Sequence, residues 1–321
     1  ALPICDARGV SGRLSIGAPD LAVYDLASLT KVLATGLVAM RLVAAQRLDL
    51  DTRVHRWLPA WQLADRADVR VRDLLVHASG LPAHLPLYAS ASGADAIVQA
   101  SADAPLACAP RSASIYSDLG FIVLGRVLEH IGAATLDVQT TAVLSPVTDE
   151  PPAFGPVAPE RAVQPTGRTA WRNPVPAGHV HDDNAAAMGG VAGHAGLFGT
   201  VHGVGRIAQT LLQGLQGMDT ALAPSWLVRA FARRSPVPGS SRALAWDTAL
   251  PSSSCGTRFT PHAIGHTGFT GTSIWIDPAL DLYVVLLTNR VAGTATLADI
   301  AQLRRAVHDH IAAARTGQTR A

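Results

Sequence analysis

Apolar positions early in the chain follow a helical period. Leu29, Val32, Leu33, Leu37, Met40 and Val43 recur at three- and four-residue spacing, and alanine fills most of the rest. Ser28 is therefore predicted to open a helix that is apolar nearly all round and so buried. A second helix is predicted from about Asp118 to Gly132, with Phe121, Ile122, Leu124, Val127, Leu128 and Ile131 on its apolar face. Ser117 or Asp118 suits its N-cap and Gly132 its stop. Val204 to Leu215 and Ala298 to Ala314 carry the same period. The last third changes character. Gly265 to Asp277 and Leu282 to Thr288 read as two strands joined by a turn at Pro278 to Asp281. Val285, Leu286 and Leu287 form the continuous apolar run of a strand covered on both faces.

The intervening stretches are irregular. Pro146 to Pro176 holds eight prolines, and Met188 to Gly196 is dense in glycine, which predicts tight turns or close backbone packing. Before Ser28 only Arg13 to Ile16 looks strand-like, so the front of the sheet is either trimmed or reduced. Helices in the middle and strands towards the end indicate an α+β protein of two intermixed lobes.

Composition narrows the function classes. At 321 residues and 48% hydrophobic content the chain is long enough for a sizeable core and excludes a disordered protein. A net charge of +2 with scattered arginines argues against nucleic acid as partner. No apolar run reaches the roughly 20 residues of a membrane span, and Val32 to Ala45 is interrupted by Arg41. Cys5, Cys108 and Cys255 are odd in number and far apart, which indicates neither a disulfide framework nor a zinc site.

Of the 26 Lys and Arg residues, Lys31 is the only lysine. An amine can be made neutral by its surroundings, whereas a guanidinium cannot. Ser28 stands three residues before it, on the same predicted helix face. A serine in the first helical turn has its hydroxyl near the positive end of the dipole, and a neutral Lys31 could take its proton.

Two further motifs follow, Tyr116-Ser117-Asp118 before the second helix and His266-Thr267-Gly268 at a predicted strand. In this order the three resemble the signature of the penicillin-recognising serine hydrolases, and most of all the class C β-lactamase-related branch with its D-Ala-D-Ala carboxypeptidases, D-aminopeptidases and esterases. The flanks Tyr24 to Ala27, Leu74 to Pro82 and the glycine-rich run before Leu197-Phe198 are similar too, so the resemblance covers about Tyr24 to the end. It implies a β-lactamase/transpeptidase-like fold: an antiparallel sheet flanked by helices (about 1–27 and 200–321), a mostly helical lobe (about 28–199), and the site between them, in a single domain 1–321. It implies Ser28 as the nucleophile, Lys31 as its proton partner, Tyr116 sharing the general base and acid work, and the backbone N–H groups of Ser28 and Phe269 as the oxyanion hole. Asp118, His266, Thr267 and Gly268 would line the substrate cleft, with Gly268 leaving room for substrate at the strand edge. Neither cofactor nor metal is implied. The expected partner is a peptide or small-molecule substrate, and oligomeric state and compartment, periplasm or cytoplasm, stay open.

Three positions depart from the pattern. Asp118 stands where Asn is common; ionised, it would favour a charged Lys31, which leaves both Lys31 and Tyr116 as candidates for the base, and Asp118 also suits an N-cap. His266 replaces the lysine of β-lactamases and predicts weak, pH-dependent attraction for a carboxylate and little penicillin turnover. The short N-terminal stretch keeps open a non-catalytic binding or sensor domain. His179 and His181-Asp182 would suit a zinc hydrolase, though a loop at the cleft rim is the plainer expectation. His194 is expected to be buried and hydrogen-bonded, and Trp171 and Trp226 to pack in the core.

Overall fold

The computed structural model describes residues 2–6, 9–19, 21–62 and 65–317, with the backbone alone for residues 2–11 and 13. Its main sheet holds β1 (Leu2–Asp6), β2 (Gly9–Leu14), β6 (Asp247–Thr248), β7 (Ile264–Thr267), β8 (Ser273–Asp277) and β9 (Leu282–Leu286), after the small strands β3 (Tyr24–Asp25), β4 (Ala153–Phe154) and β5 (Leu197–Gly199). All six pair antiparallel in the order β2-β1-β9-β8-β7-β6.

Two strands of the main sheet thus precede Ser28, where one short strand-like stretch was expected. Pro3 hides the first of them, because proline inside a run argues against a strand. It is tolerated here outside Ile4 and Cys5, the two residues that pair with β9. The expected single strand Gly265 to Asp277 is also two, folded back at Gly268 to Thr272. The left-handed φ of Gly271 (+116°) makes that hairpin turn.

The helices are α1 (Gly36–Ala44), α2 (Val71–Leu75), α3 (Ala94–Asp103), α4 (Asp118–Gly132), α5 (Leu136–Leu144), α6 (Asp183–Ala187), α7 (Val201–Leu215), α8 (Ser225–Phe231) and α9 (Leu297–Arg315). Strand β9 is buried throughout because its alternate side chains meet different layers. Tyr283 and Val285 join the main core with Ile207, Ala208 and Leu211 of α7, while Leu282 and Val284 pack with Ile311 and Ala312 of α9. Covering both faces explains why its apolar run is continuous.

Helices α1 to α5 form the second lobe, with Val32, Leu33, Leu37 and Met40 all at 1% exposure or less. The helix predicted from Ser28 is a tight turn followed by a π-helix over Lys31–Thr35 before α1 begins. Such π turns concentrate at functional sites. At the end of α4 it is Ala133, not Gly132, that takes the left-handed cap (φ 52°).

The three-stranded sheet β3-β5-β4 carries the glycine-dense segment to the nucleophile turn: Leu26 N donates to Leu197 O at 2.9 Å and Leu197 N to Thr30 Oγ1 at 3.1 Å. Gly193 shows why glycine is needed there, since a Cβ would lie 2.0 Å from Phe121 O. Trp226 (60% exposed) and Trp171 (49%) lie at the surface rather than in the core. Cys108 and Cys255 are free thiols, and the Cys5 side chain lies outside the described residues.

Candidate active site

A cleft of about 1000 Å³ opens between the two lobes, and Ser28, Tyr116, Asp118, His266, Thr267, Gly268 and Phe269 all line it. Lys31 lies beneath, fully buried. Its Nζ donates to Ser28 Oγ at 3.0 Å, to Asp118 Oδ1 at 2.7 Å and to His194 O at 3.2 Å. Three acceptors match the three protons of an ammonium.

The charges agree with that geometry. Burial disfavours the Lys31 charge more than any single partner favours it, yet Asp118 and Tyr116 together hold its pKa above the ordinary lysine value. Burial likewise opposes ionisation of Asp118, and Lys31 and His84 overcome it, keeping that carboxyl well below its usual range. Lys31 and Asp118 are therefore a buried ion pair at rest. Asp118 is free for this because Ser117 caps α4, its Oγ accepting from Gly120 N at 3.0 Å.

Tyr116 is held by its neighbours. His77 stacks on it at 4.7 Å between ring centroids and accepts the Ser117 N–H on Nδ1 at 3.0 Å. Burial, then the charges of Arg242 and Lys31, push the His77 imidazole well below its ordinary value, so it serves as a neutral acceptor. Lys31 Nζ and the Arg242 guanidinium lie 4.8 and 4.9 Å from the Tyr116 ring centroid.

His266 differs from expectation. Burial and the cations Arg242 and Lys31 depress its pKa well below the ordinary value, so it is neutral, not partly charged, at pH 7. Its Nδ1–H donates to Thr267 O at 2.9 Å, and Nε2 has no partner. The cation beside it is Arg242, which carries no periodic or motif signal in the sequence. Gly268 also has another purpose than clearing the strand edge. A Cβ there would lie 2.6 Å from Leu26 O and 2.1 Å from Thr272 Oγ1, so glycine lets the β7–β8 turn lie against the nucleophile turn.

The two turns are tied by Thr272 Oγ1 donating to Leu26 O (3.1 Å) and Thr270 Oγ1 to Asp25 O (2.7 Å). Ser28 and Phe269 both line the cleft, and the backbone N–H of neither donates to a protein acceptor among the described residues. Ala27, just before Ser28, takes a left-handed φ of 47°. Its N–H donates to Asp25 Oδ1 at 2.8 Å, and Asp25 Oδ2 accepts from His181 N at 2.7 Å.

Burial pushes the Asp25 carboxyl up to about 6. A carboxyl raised on folding contributes most below its unfolded value, near 4, and that contribution is lost as pH rises through about 6. The unfolding free energy of wild type relative to Asp25→Asn should therefore shift in favour of wild type by about 2 kcal/mol between pH 7 and pH 4. Urea melts of both proteins at the two pH values measure it, and a pH-independent difference would contradict it.

His181 and Asp182 line the cleft rim, while His179 is exposed. Asp182 does not point to a metal: it pairs with buried His194 (Oδ1 to Nε2, 2.8 Å) and caps α6 through Ala185 N. Among the described residues no group of three His, Cys, Asp or Glu is placed to hold a metal ion, and no single helix is long and apolar enough to cross a membrane.

Known proteins share this architecture. The β-lactamase family model matches residues 17–309. A Salmonella gallinarum protein named "Putative D-alanyl-D-alanine carboxypeptidase" is 32% identical over 309 residues, covering 86% of this chain and 71% of its own length. Among solved structures, an octameric penicillin-binding protein homologue from Pyrococcus abyssi superposes with a TM-score of 0.75 at 18% identity, over 99% of this chain and 73% of that one. EstCE1, a hydrolase with promiscuous acyltransferase activity, gives 0.74 at 21% identity, over 96% and 92%. These two share the fold, and the family match with the Salmonella relative goes further: the chain belongs to the β-lactamase family and is a serine hydrolase of the β-lactamase/transpeptidase fold.

Proposed function

We propose that this hydrolase is a carboxypeptidase that releases a C-terminal D-amino acid, with activated small esters as accessory substrates. Arg242 carries the reading: a guanidinium beside Tyr116 and neutral His266 suits the carboxylate of the leaving amino acid. The relatives named D-alanyl-D-alanine carboxypeptidase support it.

In this mechanism Ser28 Oγ attacks the scissile carbonyl, and the Ser28 and Phe269 N–H groups take the developing oxyanion, each contributing about 3–4 kcal/mol to the barrier. Because Lys31 already carries its full set of protons, Tyr116 is the proton relay: its hydroxyl accepts the serine proton as it hands its own to the departing amine. Lys31 steadies the negative charge that passes through. Water then releases the acyl group by the same steps reversed.

The test is mass spectrometry after exposure to a fluorophosphonate, together with turnover of a D-Ala-D-Ala peptide. An adduct on Ser28 that Ser28→Ala lacks, with release of D-alanine, is the expected result; an adduct without D-alanine release would overturn the carboxypeptidase reading. Arg242→Gln should raise KM for that peptide about 10- to 100-fold, the loss of a charge-assisted bond of about 1.5–3 kcal/mol, and leave KM for an ester with an uncharged leaving group nearly unchanged. Penicillin turnover should be slow, because His266 is neutral where β-lactamases place a lysine. A steady-state rate matching a dedicated β-lactamase would contradict this.

A further inference from the structure

Once the paired charges of the cleft are matched, arginine is left over. Asp118 is satisfied by Lys31, Asp182 by His194 and Asp183 by Arg172, and Asp247 lies 3.9 Å from Arg242. Arg290 and Arg304 also line the cleft, and neither has a carboxylate partner among the described residues. Arg304 is only 7% exposed. Its Nη2 donates to Gly268 O and Thr272 O, both at 2.7 Å, and its Nε has no acceptor. Arg290 lies over the Phe269 ring at 4.3 Å and donates from Nε to Phe269 O at 3.0 Å, while its Nη2 has no acceptor.

The two are close enough for charge repulsion. Burial and the Arg290 charge push Arg304 down to about 10, and burial lowers Arg290 as well. A buried guanidinium beside a half-buried one, with no counter-charge, is costly, and an incoming anion would relieve that cost.

Their side of the cleft gives the anion its place on a substrate. Tyr116 and Arg242 define the leaving-group side, since the leaving atom must be protonated there. Arg290 and Arg304 instead bond the other end of this segment, at Phe269 O and at the Gly268 and Thr272 carbonyls, and an acyl portion whose carbonyl sits on the Phe269 amide would run towards them.

We infer that Arg290 and Arg304 form a subsite for a carboxylate on the acyl portion of the substrate. The inference rests on acyl transfer through Ser28 and is independent of whether the leaving group is a D-amino acid.

Two esters with one leaving group and matched acyl chains test it: 4-nitrophenyl hydrogen adipate, which ends in a carboxylate, and 4-nitrophenyl hexanoate, which ends in a methyl. Wild type is expected to favour the adipate at least about tenfold in kcat/KM, as one charge-assisted hydrogen bond implies. Arg290→Gln should bring the ratio near one and Arg290→Lys should keep part of it, the ratio cancelling any general damage to the site. High salt should erode the wild-type preference. A wild-type ratio near one, or a preference that survives Arg290→Gln, would overturn the subsite. An adipate preference without D-Ala-D-Ala turnover upholds it and removes the carboxypeptidase reading; no hydrolysis of either ester, with no fluorophosphonate adduct on Ser28, removes both.

Discussion

Lys31→Met is expected to cut kcat/KM by about 10³-fold or more and to lower the unfolding free energy by about 3–5 kcal/mol. The side chain is fully buried, and its ammonium is the ion-pair partner of Asp118 at 2.7 Å. Methionine fills much the same volume but leaves a carboxylate in the cleft wall with only half-exposed His84, 3.5 Å away, as a cation. That orphaned charge, rather than lost packing, accounts for the instability. Adding Asp118→Asn removes it, so Lys31→Met/Asp118→Asn should regain most of the stability in urea melts. Activity should not return, because the double variant has no cation at the Ser28 hydroxyl and only Arg242 beside Tyr116. Recovery of both would assign Lys31 a purely structural place; turnover by the double variant within tenfold of wild type is the result that decides it.

How much of this site could be read from the sequence follows from distance along the chain. Ser28 and Lys31 lie within one helical turn, so spacing alone put them on a common face, and their 3.0 Å contact follows from that. Asp118 is 87 residues from Lys31; its residue type anticipated a charged lysine, but cap and partner were separable only once Ser117 was seen to hold the Gly120 N–H. Tyr116 and His266 were found through motif resemblance, whereas the charge state of His266 depends on its burial and on Arg242, which no local pattern reveals.

Arg242 reaches the cleft from the segment after α8, which is anchored by Ala245 N donating to Leu75 O, a contact of the tertiary structure only. Asp25 and His77 lie in flanks that resembled the family, yet nothing local marks one as the clamp on the Ala27 N–H or the other as the acceptor behind Tyr116. The front strand β1 was missed, and β2 was read only at its end, for a related reason: a proline and glycines break their alternation, and pairing of β1 with β2 and β9 compensates for what the local sequence lacks.

Gly268→Ala should lower kcat by about 10²- to 10³-fold, the loss of one oxyanion donor, with a smaller stability change of about 1–3 kcal/mol. The new methyl carbon would lie 2.1 Å from Thr272 Oγ1, 2.6 Å from Leu26 O and 3.4 Å from Ala27 Cβ. Of these neighbours only the threonine hydroxyl belongs to a side chain that can turn away. The Leu26 carbonyl is fixed because it precedes the nucleophile and accepts from Thr272 Oγ1, while the far end of the turn is held by Arg304 on Gly268 O and Thr272 O. The β7–β8 turn must therefore move away from the nucleophile turn, and the Phe269 amide moves with it, away from the Ser28 amide. The carboxylate site proposed at Arg242 lies outside this displacement, so kcat should fall by much more than KM rises. Thr272→Ala in the same chain relieves the hydroxyl clash but not the carbonyl clash and should restore only a small part of kcat. Full restoration would mean that the hydroxyl, and not the approach of two backbones, is what glycine accommodates at position 268.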